Sequence, residues 1–279
     1  MAVVNRTPDS FYPAARAADA DAAVAAVARA VAQGADLVDI GGVRAGRGPD
    51  VTPGEEIDRV LPVVRRVRAA FPDLPVSVDT WRAEVAEAVL VAGADLVNDT
   101  WAGADPALLA VAAAHGAGVV CSHTGGLPPR TDPLRPAYPA PVPLHPRDGV
   151  LHDVVATLRA GAARAVAAGV DPRAVLVDPT HDFGKTTWHS LHLTRRTEAL
   201  VELGYPVLMA LSRKDFVGES LDLPVAERLP GTLAATAVAA WLGARVFRAH
   251  DVAATRQAVE MVAGIRGDLP PARAVRGLA

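Results

Sequence analysis

The chain has 279 residues, of which 51% are hydrophobic, enough for one large domain with a buried core. Its net charge of −3 argues against a nucleic-acid or anionic-membrane partner, and its apolar runs are too short and too interrupted to span a bilayer. The single cysteine, Cys121, excludes an intramolecular disulfide framework and is predicted to be a core thiol. The first residues, MAVVNRTPDSF, lack the basic and apolar regions of a signal peptide, so we expect a cytoplasmic protein.

Short apolar, β-branched runs alternate with alanine-rich amphipathic segments along the whole chain. In chain order the predicted strands are Ala2–Asn5, Leu37–Gly41, Val76–Asp79, Leu96–Asp99, Val119–His123, Val175–Asp178, Val207–Ser212 and Arg245–Arg248. The predicted helices are Asp19–Gln33, Gly54–Ala70, Arg82–Ala92, Pro106–His115, Gly149–Ala168, Leu191–Leu203, Ala226–Leu242 and Ala253–Ile265. The strands lack polar alternation, which is typical of parallel strands buried on both faces.

Several predicted helices are followed by a glycine, the usual residue of a left-handed helix end. These glycines are Gly34, Gly93, Gly116, Gly169, Gly204 and Gly243. Eight strand–helix units in a chain of this length predict an α/β fold, a (β/α)₈ TIM barrel, as a single domain over residues 1–279 with a surface tail at 268–279. The rival, an open doubly wound sheet, would usually carry a glycine-rich phosphate turn after its first strand, and the sequence has none there.

Polar residues stand at the end of nearly every predicted strand, where a TIM barrel carries its active site. They are Asn5, Asp39, Asp79, Asn98, Asp99, His123, Asp178, Ser212, Arg213, Lys214, Arg248, His250 and Asp251. Asp79, Asn98 and Asp178 can accept hydrogen bonds from a flat ring that bears amino and N–H groups. Strands eight and one are neighbours in a closed barrel, so Asn5, Arg248 and His250 are predicted to hold a phosphate or pyrophosphate. A divalent ion could bridge its oxygens to Asn5.

The segments around these strand ends resemble those of dihydropteroate synthase, and the resemblance covers nearly the whole chain. The matching stretches are VNRTPDSF (4–11), DIGG (39–42), VSVDTWRAEVA (76–86), GADLVND (93–99), VDPTHDFGK (177–185), ALSRKDFVG (210–218), ERLPGTLAA (227–235) and FRAHDV (247–252). Members of that family displace pyrophosphate from 6-hydroxymethyl-7,8-dihydropterin pyrophosphate with p-aminobenzoate to make dihydropteroate, a step of folate biosynthesis. In such a reaction, neutralising charge on the leaving group is the main catalytic device.

The resemblance also implies roles for individual residues, a Mg²⁺ ion and a homodimer. It implies pterin-binding residues Asp79, Asn98, Asp178 and Lys214, diphosphate-binding residues Asn5, Arg248 and His250 with Mg²⁺ at Asn5, aminobenzoate-side residues Thr7, Pro8, Phe183 and Ser212, and catalytic residues Asp9, Lys214, Arg248 and His250. Thr7, Pro8 and Asp9 would belong to the first loop of the barrel mouth.

The sequence departs from the family at the second loop. The family reads Gly-Gly-Glu-Ser-Thr-Arg-Pro-Gly there, and this chain reads GGVRAGRG at 41–48. Ala45 and Gly46 therefore replace a threonine and an arginine that contact the substrates in the family. Arg44 or Arg47 could substitute for the lost arginine only with a shifted backbone.

Two further departures follow strands five and six. Ser122-His123-Thr124 replaces Met-His-Met, and His181 and Asp182 replace an apolar residue and a glycine. The pterin and anion residues are kept while the p-aminobenzoate side is rewritten. This pattern resembles a divergent dihydropteroate-synthase-like paralogue of some actinobacteria, which is not expected to make folate.

Four functions remain open at this point. The first is authentic dihydropteroate synthesis, and the second is a divergent pterin-binding paralogue with another acceptor or none. The third is a pterin-binding methyltransferase, whose family generally lacks the Ser-Arg-Lys and Arg-x-His elements present here. The fourth is a barrel aldolase with Lys214 as Schiff-base lysine, a chemistry that the aspartates fit poorly.

Several residues near the predicted site have a structural alternative. Lys185 is predicted to be a solvated rim charge or to pair with Asp182. His181 and Asp182 could form an acid–base pair, since a histidine with an unshifted pKa transfers protons at neutral pH, or a hydrogen-bonded loop pair. His189 and His192 have no third metal ligand at a suitable spacing, and both are predicted to lie on the surface.

Overall fold

In the computed structural model, residues 1–6, 19–131, 138 and 148–276 are described. The strands in chain order are β1 Ala2–Asn5, β2 Val38–Gly41, β3 Val76–Asp79, β4 Leu96–Asp99, β5 Gly118–Ser122, β6 Val175–Asp178, β7 Leu208–Met209 and β8 Val246–Phe247. All eight lie within one residue of the predicted bounds or inside them, so the strand prediction is confirmed.

The helices are α1 Ala20–Ala32, α2 Pro53–Ala70, α3 Ala83–Val91, α4 Leu108–Ala114, α5 Asp148–Ala167, α6 Thr187–Arg195, α7 Thr197–Val201, α8 Asp215–Leu221, α9 Leu229–Trp241 and α10 Val252–Arg266. One predicted helix was wrong, and one observed helix was not predicted. The segment predicted as one helix, Leu191–Leu203, is split into α6 and α7 at Arg196, whose φ of −108° and ψ of 30° depart from helical values. Helix α8 was not predicted, because seven residues are too few to show a clear helical period.

The strands close into a parallel barrel. β1 to β6 form one sheet in sequence order, and β7 pairs with β8. Two single bridges join these sheets, Val177 with Val207 and Ala2 with Ala249. At the second seam the Val3 amide donates to the Ala249 carbonyl at 3.1 Å, so β8 lies beside β1. The (β/α)₈ TIM-barrel prediction is confirmed, including the adjacency of strands eight and one.

Successive side chains of each strand face two different hydrophobic clusters. Outward-facing residues such as Val38, Ile40, Val76 and Val97 belong to the large core beneath the helices. A small apolar cluster fills the barrel interior, and it consists of Met1, Leu37, Leu96, Val120, Leu176, Leu208, Ala210 and Val246. Successive side chains point to opposite faces of a strand, so the residue two positions after an interior residue also faces inward. Those positions hold Asp39, Asn98, Ser122, Asp178, Ser212 and Arg248. A polar layer therefore lies directly on the apolar floor of the barrel.

The helix ends and the C-terminal segment also agree with the predictions made from the sequence. The six glycines predicted to end helices all have positive φ, so that prediction is confirmed. Residues 268–276 are exposed and form neither helix nor strand. Within the described residues, each helix is too short or too polar to traverse a lipid bilayer.

Candidate active site

Asp39 is the centre of the polar layer. It is completely buried on β2, and its Oδ1 accepts a hydrogen bond of 2.6 Å from Ser77 Oγ on the neighbouring strand. Its Oδ2 accepts from Asn98 Nδ2 at 3.1 Å and from Arg248 Nε at 2.6 Å. Because the Asn98 amide donates to Asp39 through nitrogen, its oxygen remains as an acceptor. Asp39 therefore orients both an asparagine and an arginine of the predicted site.

Arg248 also reaches Asp79. Its Nη2 donates to Asp79 Oδ2 at 3.0 Å, while Asp79 Oδ1 accepts from Thr100 Oγ1 at 2.9 Å. Burial raises the pKa of Asp79 to about 7, and the Arg248 cation opposes that rise. The guanidinium that was predicted to hold a phosphate is thus also the counter-ion of two carboxylates in the barrel mouth. Leaving one of those carboxylates without a partner would be unfavourable at this depth.

A cavity of about 440 Å³ opens at the carboxyl ends of the strands. Its walls are Val3, Asn5, Val43, Arg44, Ala45, Gly46, Arg47, Asp79, Thr131, Asp182, Phe183, Ala210, Ser212, Lys214, Asp215, Arg248 and His250. Its volume lies within the range of about 300–1,000 Å³ that is usual for small-molecule sites. The structure therefore brings the predicted anion residues Asn5, Arg248 and His250 to one cavity together with two of the predicted ring residues, Asp79 and Lys214.

Two of the predicted ring-binding residues do not line this cavity. Asn98 is 3% exposed and Asp178 is 5% exposed, and both lie in the polar layer. Asp178 Oδ1 accepts from the Thr180 amide at 2.7 Å, and burial raises the pKa of Asp178 while the Lys214 cation lowers it. Lys214 Nζ donates to the His181 carbonyl at 2.5 Å and lies 5.1 Å from the centre of the Phe183 ring. Lys214 lines the cavity, so a ligand bound there meets Lys214 directly.

Lys185 has a structural position that the sequence analysis did not anticipate. The prediction of a solvated charge or a pair with Asp182 was wrong, because Lys185 is 4% exposed. Its Nζ donates to the carbonyls of His123, Thr180 and Phe183 at 2.8, 3.1 and 2.9 Å. Burial holds the pKa of this amine well below its usual range. Lys185 thus ties the segment after β6 to the end of β5.

His181 and Asp182 do not bond to each other, so neither form of the predicted pair is present. His181 is fully buried with Nε2 3.0 Å from Thr194 Oγ1, and burial keeps its pKa well below the usual value. Asp182 Oδ2 accepts from the backbone amides of Asp215 and Phe216 at 2.7 and 3.3 Å. Asp182 is therefore the cap of α8, supplied from another loop, which explains how so short a helix begins there.

The β6 loop has a strained backbone. Thr180 has φ of 52° and Asp182 has φ of 70°, a left-handed conformation that is costly for residues other than glycine. The Asp178, Lys185 and α8 contacts described above hold these two residues in place. Strain of this kind is common at functional sites, where surrounding structure fixes it.

The end of β7 meets the end of β8. His250 Nδ1 lies 2.9 Å from Ser212 Oγ, and burial lowers the pKa of His250 to about 4, so it is neutral at pH 7. Arg213 turns away from the cavity, where its Nε and Nη2 donate to the two carboxylate oxygens of Asp251. At neutral pH the predicted anion cluster thus has one permanent cation, Arg248, together with polar donors.

The second loop lines the cavity with its altered residues. Ala45 and Gly46 both face the cavity, and so do Arg44 and Arg47. The preceding Gly42 is required by close packing, since a Cβ there would lie 2.7 Å from Val60 Cγ1 of α2. The loop therefore approaches the ligand space without the threonine and arginine side chains of the family.

Other predictions on individual residues had mixed outcomes. His192 was wrongly placed on the surface: it is 7% exposed and lies 3.2 Å from Asp148 Oδ1. His189 instead belongs to the capping of α6, where its Nδ1 accepts from the Thr186 amide at 3.2 Å. Cys121 is a buried thiol, as predicted. Thr7, Pro8 and Asp9, assigned to the first loop, lie outside the described residues.

Comparison with known proteins decides the family. The model of the family described as "Pterin binding enzyme" matches residues 1–250. The chain belongs to the pterin-binding enzyme family. Within this family, the chain is 57% identical to "Inactive dihydropteroate synthase 2" of Mycobacterium leprae, over 100% of this chain and 94% of that protein. It is 35% identical to the dihydropteroate synthase of Clostridium beijerinckii, over 94% and 91% of the two chains.

A solved structure agrees with the family. The dihydropteroate synthase of Yersinia pestis, determined with a sulfonamide drug complex, superposes with a TM-score of 0.87 at 33% identity, covering 96% of this chain and 93% of that one. The resemblance to the dihydropteroate synthase family, based on the strand-end motifs, and the TIM-barrel fold, based on the strand–helix repeat, are both confirmed. The central position of Asp39 in the polar layer, the burial of Lys185 and the capping role of Asp182 were not predicted. Asp39 carried a readable signal, since Leu37 and Asp39 repeat the spacing of Leu96 with Asn98 and Leu176 with Asp178.

Proposed function

We propose that this chain is a divergent pterin-binding paralogue that binds hydroxymethyl-dihydropterin pyrophosphate but does not condense it with p-aminobenzoate. The observation that carries the proposal is the second loop, where Ala45 and Gly46 line the cavity. They lack the hydroxyl and guanidinium that the family places against its substrates. The relative named as inactive, at 57% identity over the whole chain, supports this function over authentic dihydropteroate synthesis.

The pterin part of the proposal rests on the polar layer. The Asp79 and Asp178 carboxylates and the Asn98 carbonyl oxygen are acceptors, and Lys214 is a donor beside them. Acceptors in this number suit a ring edge with several N–H groups, since each buried donor then finds a partner. Arg248, His250 and Asn5 form the part of the cavity wall nearest the β8–β1 seam, where the diphosphate would lie.

A magnesium ion fits this arrangement only as a companion of the diphosphate. Among the described residues, no three His, Cys, Asp or Glu side chains are grouped so as to hold a metal ion. Mg²⁺ bound to a phosphorylated substrate usually takes only one or two protein ligands, and the side-chain oxygen of Asn5 would supply one. The ion would then neutralise charge on the diphosphate. The homodimer implied by the resemblance stays a prediction, which sedimentation velocity tests directly.

The proposal is tested by following pyrophosphate release and product formation. The purified chain is incubated with hydroxymethyl-dihydropterin pyrophosphate and Mg²⁺, with and without p-aminobenzoate, and ligand binding is measured in parallel by calorimetry. We expect binding of the pterin without dihydropteroate and without p-aminobenzoate-dependent release. Formation of dihydropteroate at a rate that rises with p-aminobenzoate would contradict the proposal, and absence of pterin binding would refute its first part.

Restoring the family's second loop should produce synthase activity. In the double variant Ala45→Thr with Gly46→Arg, we expect p-aminobenzoate-dependent turnover ~10-fold or more above the assay background given by wild type, because a positioned cationic donor acts on the developing charge. The backbone has room, since a Cβ at Gly46 would lie 3.6 Å from Arg44 Nε, an ordinary contact.

The matched control for this prediction is Ala45→Val with Gly46→Gln, which adds similar bulk without the hydroxyl or the charge. An equal gain in both double variants would show that bulk, not chemistry, limits the wild type. No gain in either would place the block elsewhere, for instance at Thr124 or at His181.

A further inference from the structure

A second cavity adjoins the first on the side of the second loop. It has a volume of about 520 Å³, and its walls include Arg47, Asp50, Trp81, Arg82 and Arg130. The two cavities share a wall residue, Arg47, and Thr131 of the first cavity directly follows Arg130 of the second in sequence. A molecule bound in the first cavity could therefore extend into the second past Arg47.

The second cavity is strongly basic. Three arginines line it against one carboxylate, that of Asp50. Arg82 is held rigidly, since its Nη1 donates to buried Glu56 at 2.7 Å and its Nη2 to the Val51 carbonyl at 2.7 Å. Its guanidinium carbon lies 4.6 Å from the centre of the Trp81 ring. Fixed cations beside an aromatic wall suit an anionic ligand with a planar part.

Arg130 is the third arginine in the wall of the second cavity. Its Nε is shielded from water and has no hydrogen-bond partner among the described residues. Its backbone has φ of 62°, the left-handed conformation. Because the shielded Nε is closed off from the cavity, an anion there would be attracted by the combined charge of Arg47, Arg82 and Arg130.

Charge is distributed unequally around the first cavity. Asp182 and Asp215 lie on the β6–β7 side, whereas Arg44 and Arg47 lie on the loop after β2, across the barrel. Lys214 on the first side offsets part of the charge of its two carboxylates, so an anionic group on a bound molecule is attracted more strongly to the second side, where two arginines stand. The attraction leads toward Arg47 and from there to Arg130.

We propose that the second cavity binds a carboxylate or phosphate at the far end of an elongated second substrate whose other end reaches the pterin cavity. The inference rests on the proposed function, because it assumes that the first cavity holds a pterin. It names the class of the second molecule: longer than p-aminobenzoate, anionic at its distal end, and flat enough to lie along Trp81. The contacts that recognise it are the guanidinium groups of Arg47 and Arg130.

The test compares three aromatic amines by calorimetry on the full chain saturated with 6-hydroxymethylpterin and pyrophosphate. The probes are 4-aminobenzamide, which is neutral, 4-aminobenzoate, whose carboxylate is on the ring, and N-(4-aminobenzoyl)glycine, whose carboxylate is farther out. We expect the glycine conjugate to bind ~10-fold more tightly than the amide, as one charge-assisted contact would give. Its affinity should fall as salt is raised.

Arg130→Gln should reduce the affinity for the conjugate ~10-fold and leave pterin affinity unchanged, because Arg130 does not line the first cavity. Arg159→Gln, at an exposed position of α5, is the matched control and should change neither affinity. Equal binding of the conjugate and the amide in pterin-saturated protein would overturn the inference. Failure of wild type to bind pterin would instead refute the proposed function, so the two failures are distinguished by the first titration.

Discussion

Asp178→Asn should weaken pterin binding ~100-fold or more, because a carboxylate that accepts buried N–H groups is replaced by an amide. The fold should survive the change. Asp178 Oδ1 accepts from the Thr180 amide at 2.7 Å, and an asparagine oxygen can keep that bond. Its nitrogen then stands where the second acceptor was, so a donor faces the donors of the ring. Fluorescence titration with 6-hydroxymethylpterin measures the loss.

Lumazine makes this prediction specific, since it has a carbonyl oxygen where pterin has the 2-amino group. Wild type should prefer pterin, and Asp178→Asn should shift the preference toward lumazine, because its amide can donate to that oxygen. Structural damage alone would weaken both ligands equally, and that result would contradict the assignment of Asp178. Asp171→Asn, at an exposed carboxylate paired with Arg173, is the control and should leave both affinities unchanged.

Asp39→Ala should lower the free energy of unfolding by about 3–5 kcal/mol, the usual effect of removing one partner of a buried ion pair. Asp39 is completely buried and accepts from Ser77, Asn98 and Arg248. The alanine variant leaves these three donors without their acceptor inside the barrel. Urea denaturation followed by circular dichroism measures the change.

Asp36→Ala is the matched control for Asp39, because it removes a carboxylate from an ion pair with Arg256 at the surface. Its side chain is 73% exposed, so we expect a loss of ~1 kcal/mol or less. Equal losses in the two variants would show that the Asp39 network contributes little. Asp39→Asn should fall between them, since it keeps an acceptor for Ser77 but removes the charge that balances Arg248.

Much of the barrel could be predicted because each strand is short, apolar and followed by a polar residue. Leu96–Asp99 and Val175–Asp178 were predicted with the bounds that the structure shows. Helix α8 could not be, since its start depends on a contact between segments distant in the chain. Asp182 caps α8 from 33 residues away, and a local pattern contains no trace of that bond.

In the candidate site, too, some features could be predicted from local sequence and others depend on tertiary contacts. The strand bounds determine which residues lie at the strand ends. The sequence could therefore place Asp79, Lys214, Arg248 and His250 around one cavity, which they line in the structure. The hydrogen-bond and ion-pair partners of the site's charged residues could not be predicted from the strand bounds. Arg248 is bound to two carboxylates, and Lys185 is enclosed by three carbonyls, because burial decides which charges need partners and burial of a loop lysine has no periodic signature.

Lys185 and Lys214 are the two lysines of the sequence, and both amines donate to backbone carbonyls beside the cavity. A reagent that acylates amines therefore has no lysine target remote from this region. When the β6 loop closes faster than the amine reacts, the rate at which Lys185 is acylated should equal the equilibrium constant for opening of the loop multiplied by the acylation rate constant of an exposed amine. Acylation of Lys185, followed by mass spectrometry, would thus measure the fraction of molecules in which the cavity rim is open.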